Sequence, residues 1–95
     1  MPVAMLQESD AITPEMYDAV NAKLNAYDTP PKGMIVHTAA FVDGKSRMFD
    51  VWESVEDLER FREERLVPAI DEVSGGNAPE APPTEIYELH DLVKP

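Results

Sequence analysis

Asp43-Gly44 stands between two β-type runs, Met34 to Val42 and Arg47 to Glu53. Asp-Gly takes positive φ at both central positions of a tight turn, so the pair predicts a hairpin and lets residues be assigned to the faces of its two strands. Helix starts flank that hairpin on both sides. Thr13-Pro14-Glu15 opens a first helix, with Met16, Val20 and Leu24 at helical spacing. Ser54, with Asp57 three residues on, opens a second, whose apolar stripe runs from Leu58 to Val73. Pro68 interrupts the stripe, which predicts a kink or break near Arg65 and Leu66. Ser74-Gly75-Gly76 closes the helix, and a proline-rich loop runs from Asn77 to Pro83. Val3 to Gln7 and Thr84 to Val93 read as outer strands. The order β-α-β-β-α-β predicts an α+β, ferredoxin-like fold. Its four-stranded antiparallel sheet carries both helices on one face.

The chain has 95 residues. That is one small domain, 1–95, burying roughly 60–65% of its unfolded surface, for which a second copy is a natural source of extra core. The net charge is −11. Such a chain repels phosphate backbones and anionic lipid surfaces, so neither nucleic acid nor membrane is an expected partner. There is no cysteine, which excludes a disulfide scaffold, a thiolate metal site and a cysteine nucleophile. The opening residues lack the basic and apolar regions of a signal peptide, so a cytoplasmic protein is expected.

The hairpin assigns faces. With a two-residue turn, His37 lies opposite Asp50 and Ile35 opposite Trp52. With a four-residue loop, His37 lies opposite Trp52. Alternation puts His37, Asp50 and Trp52 on one face in either register, together with Ile35, Ala39, Phe41 and Met48. Val36, Phe49 and Val51 take the other face, which is expected to meet the helices. The His37 face is then the uncovered one. It is too apolar for open water, so a second copy is expected to close a cavity over it. His37 and Asp50 are the candidate acid–base pair. Trp52, Ile35, Met48 and Phe41 are candidate ligand contacts. His90 on the last strand is a further one, although which face of that strand lines the cavity stays open.

The whole chain resembles the dimeric α+β barrel superfamily, and within it the small bacterial proteins similar to antibiotic-biosynthesis monooxygenases. The resemblance rests on Thr13 to Asp18, on Pro31 to His37 with its Gly-x-x-x-His spacing, on Asp50-Val51-Trp52-Glu53-Ser54, and on Phe61 to Pro68 with its Arg-Leu-x-Pro ending. It implies a homodimer. Among the activities it implies are cofactor-free oxygenases of aromatic polyketides, haem-degrading oxygenases, isomerases and dehydratases. The haem-degrading members resemble one another in an axial histidine on the second helix, and no histidine lies between Ser54 and Ser74 here.

Together these readings predict oxygenation or a proton-transfer rearrangement of a small aromatic or polyketide-like molecule, with no cofactor and no metal. Trp52 would stack the ligand while His37 moves a proton. A ligand-binding dimer without turnover and a purely structural dimer module fit the same residues.

Overall fold

The computed structural model describes residues 2–26, 28–78 and 81–95. Met1, Tyr27, Pro79 and Glu80 lie outside the described residues, the last two within the proline-rich loop. The elements are β1 (Val3–Ser9), α1 (Pro14–Leu24), β2 (Met34–Val42), β3 (Lys45–Trp52), α2 (Val55–Phe61), a π-turn (Arg62–Leu66), α3 (Val67–Ser74) and β4 (Thr84–Glu88). The strands form one antiparallel sheet in the order β2-β3-β1-β4. This is the ferredoxin-like arrangement expected.

The local chemistry is as the sequence requires. Thr13 caps α1, its hydroxyl accepting from the Met16 N–H at 3.1 Å, with Pro14 at the first turn. Ser54 caps α2 through the Asp57 N–H at 3.2 Å. Asp43 and Gly44 have φ of 52° and 78°, which gives a two-residue turn with Val42 opposite Lys45. Pro68 lies in the first turn of α3. It has no N–H to offer the preceding turn, and the Val67 N–H reaches back to the Arg62 carbonyl instead. The expected break is therefore a widened turn just before the proline.

The structure corrects two expectations. The last strand ends at Glu88, not Val93. Its partner β1 begins at Val3, which pairs with Glu88, and one further bond runs from the Leu89 N–H to the Pro2 carbonyl. His90 is thus beyond the sheet. The second correction concerns the covered face. Trp52 packs with Val3, Met5 and Leu58 and lies against Phe61, while Tyr17 of α1 meets His37. The helices cover the His37–Asp50–Trp52 face. The uncovered face is the opposite one, with Val36 at 42%, Phe49 at 43% and Tyr87 at 50% exposure. Both faces carry enough apolar surface to pack, and alternation separates them without ranking them.

Candidate functional site

His37 pairs with Asp50 across β2 and β3, as the two-residue turn requires. Its Nδ1 lies 2.5 Å from Asp50 Oδ1, and its Nε2 lies 2.8 Å from the Tyr17 hydroxyl. The Asp50 side chain is buried. Its second oxygen accepts from Trp52 Nε1 at 3.3 Å. An ionised carboxylate only accepts, so the Nδ1–H of a neutral imidazole donates to it. Nε2 is then left as acceptor for the Tyr17 O–H. If the ring gains a proton, the tyrosine hydroxyl can turn and accept from Nε2–H. Both protonation states of His37 keep two hydrogen bonds.

This chain of groups ends at a cavity of about 120 Å³ between the sheet and the helices. Met5, Met34, Met48 and Gln7 form its floor. Tyr17, Val20, Asn21 and Leu24 enter from α1, and Leu58, Phe61, Arg62, Leu66 and Ile70 from the second helical stretch. The lining is mostly apolar with a few polar groups, the composition of a small-ligand pocket. It lies within one chain, not between two copies as expected.

Of the expected site residues, His37, Asp50 and Met48 line this cavity. The others do not. Trp52 is fully buried behind Asp50, where it holds the carboxylate by its indole N–H. Ile35 is displaced by a bulge between Met34 and Val36, which sets Met34 opposite Trp52 in its place. Phe41 shares the His37 face but stops at an edge-on contact with Tyr17, 6.0 Å between ring centres. His90 is outside the sheet. Conversely, Tyr17, Asn21 and Arg62 line the cavity, and the hairpin register gives no sign of them. Tyr17 and Asn21 are four residues apart, beside the Met16–Val20–Leu24 stripe, so the helical period offers that signal. Arg62 depends on the π-turn, which the sequence marks only through Pro68.

Arg65 turns away from the cavity. Its guanidinium donates to the Leu24 carbonyl at 2.7 Å and to Thr29 Oγ1 at 3.2 Å, tying the π-turn to the end of α1. Among the described residues no three His, Cys, Asp or Glu side chains are grouped as a metal site would need. No helix among them is long and apolar enough to cross a membrane.

No protein-family model and no curated protein sequence matches the chain. Solved structures do match over its whole length. Rv0793 from Mycobacterium tuberculosis superposes with a TM-score of 0.65 at 19% identity, covering 99% of this chain and 100% of that one. A candidate antibiotic biosynthesis monooxygenase from Chloroflexus aurantiacus gives 0.63 at 16%, covering 98% of each chain. A variant of SnoaB, a cofactor-independent oxygenase from Streptomyces nogalater, gives 0.63 at 14%, covering 97% of this chain and 96% of that one. The fold is therefore that of the proteins similar to antibiotic biosynthesis monooxygenases.

Proposed function

We propose that this chain is a cofactor-free oxygenase of a small phenolic molecule, with His37 as the group that moves the proton. The Asp50–His37–Tyr17 hydrogen-bond chain, ending on the wall of an apolar cavity, carries the reading. The activity of SnoaB on the same fold supports it. A substrate hydroxyl next to the Tyr17 oxygen passes its proton through Tyr17 to His37 Nε2, and buried Asp50 stabilises the imidazolium that forms. The electron-rich phenolate left in the cavity is what dioxygen oxidises. A phenol and dioxygen become a quinone and water. One oxygen atom enters the ring, the other leaves as water, and the four electrons come from the substrate.

Size narrows the substrate. A cavity of about 150 Å³ in another protein accommodates benzene, so this one suits a single ring better than a fused polyketide. Oxygen uptake with monocyclic phenols, in buffer containing a metal chelator, tests the proposal. Uptake that His37→Ala abolishes supports it. Ligands that raise the melting temperature without consuming oxygen would make the protein a binding module instead.

The homodimer reading moves to the other face of the sheet. Val36, Phe49 and Tyr87 form the exposed apolar patch there, and pairing two such patches buries them without touching the cavity.

A further inference from the structure

Among the described residues Arg62 is the one permanent cation on the cavity wall. It lies half-buried in the π-turn. The other three arginines of the chain are engaged: Arg47 with Glu8, Arg60 with Asp57, and Arg65 with Leu24 and Thr29. The Arg62 guanidinium makes neither an ion pair nor a hydrogen bond among the described residues, although Glu59 and Glu63 neighbour it in a chain with 19 acidic residues. The π-turn accounts for its direction. In a regular helix each step of four residues overshoots a full turn, so Leu58, Arg62, Leu66 and Ile70 would drift around the axis. One extra residue in the turn offsets the drift and keeps all four on the cavity.

A guanidinium keeps its charge at any working pH and offers a planar fork of donors that matches a carboxylate. Beside apolar walls such a pairing is stronger than in open water. Besides Gln7, Asn21, Asp50 and Thr84, the cavity lining therefore carries two groups suited to a ligand's polar substituents: the Tyr17–His37 pair, and Arg62. We infer that the ligand is a monocyclic hydroxyaryl carboxylate, its hydroxyl at Tyr17 and His37, its ring among the methionines, and its carboxylate on Arg62. The hydroxyl end rests on the function proposed above; the carboxylate end rests on Arg62 alone.

The test compares 4-hydroxybenzoate with 4-hydroxybenzamide by calorimetric titration. The two have the same shape, and only the first is charged. The wild-type protein binds the acid about tenfold more tightly or better, the factor expected of a charge-assisted pair. Arg62→Met keeps the apolar stem and removes that preference, weakening acid binding far more than amide binding, since the amide oxygen loses only a neutral hydrogen bond. Arg62→Lys retains part of the preference. Equal binding of acid and amide by the wild type would overturn the inference, as would a preference that survives in Arg62→Met. Oxygen uptake with both compounds separates the two proposals. Arg62-dependent acid binding without uptake sinks the oxygenase and leaves the carboxylate site. Uptake with no preference for the acid does the reverse.

Discussion

Asp50 has two carboxylate oxygens and two donors to meet them, His37 Nδ1–H and Trp52 Nε1–H. Replacing it by alanine leaves a fully buried indole N–H without a partner. Asp50→Ala is expected to lose about 2–3 kcal/mol of stability, read by urea denaturation. Asp50→Asn still offers an oxygen to one donor and so costs less, but it cannot balance a charged imidazole. It should fold and lose most turnover. Tyr17→Phe removes one hydroxyl, costs about 1 kcal/mol, and should lower kcat far more than it raises KM, because the lost group carries the proton. Trp52→Ala should collapse the core, at about 3–5 kcal/mol, not merely weaken ligand binding. That His37 and Asp50 share a face is legible in the sequence, since strand alternation gives it in either register; their direct pairing follows only once the turn is known to have two residues. The place of Trp52 is not legible. An aromatic side chain next to a polar pair reads equally as ligand wall or as core, and only the position of Phe61 and Leu58 decides.

Gly33 holds the turn that brings β2 under the start of α2. Its φ is 86°, its carbonyl accepts from the Glu53 N–H at 2.7 Å, and a Cβ there would fall 2.3 Å from Asp57 Oδ2. Gly33→Ala is expected to lose about 2 kcal/mol or more. The Asp57 Cβ would itself lie 2.5 Å away, so part of that loss should be recovered in the double variant Gly33→Ala, Asp57→Gly, which a denaturation cycle would show as non-additivity. The Arg60 guanidinium bonded to Asp57 holds its carboxyl below the usual carboxylate range. A lowered pKa means that the stabilisation is complete above the unfolded value and fades as pH falls through the folded one. Arg60→Ala should accordingly make the acid limb of the stability profile shallower. Helix caps and turns are readable from the sequence at this scale because each is set by a few neighbouring residues. The bulge at Ile35 and the end of β4 are not, because each depends on a strand distant in sequence.

At the scale of the molecule, a sheet with helices on one side leaves Val36, Phe49 and Tyr87 facing outward. Light scattering is expected to give twice the 10.6 kDa of one chain. Phe49→Lys should bring it to the single-chain mass while ligand binding survives, since Phe49 lies across the sheet from His37. Each copy brings a charge of −11, so the pair should tighten as salt screens that repulsion. A cavity enclosed by one chain has a further consequence for mixed populations. Intact chains blended with His37→Ala chains and allowed to exchange should show activity in straight proportion to the intact fraction. A cavity that required the His37 of both copies would instead make that plot curve, so the arithmetic of mixing reports which side of the sheet does the chemistry.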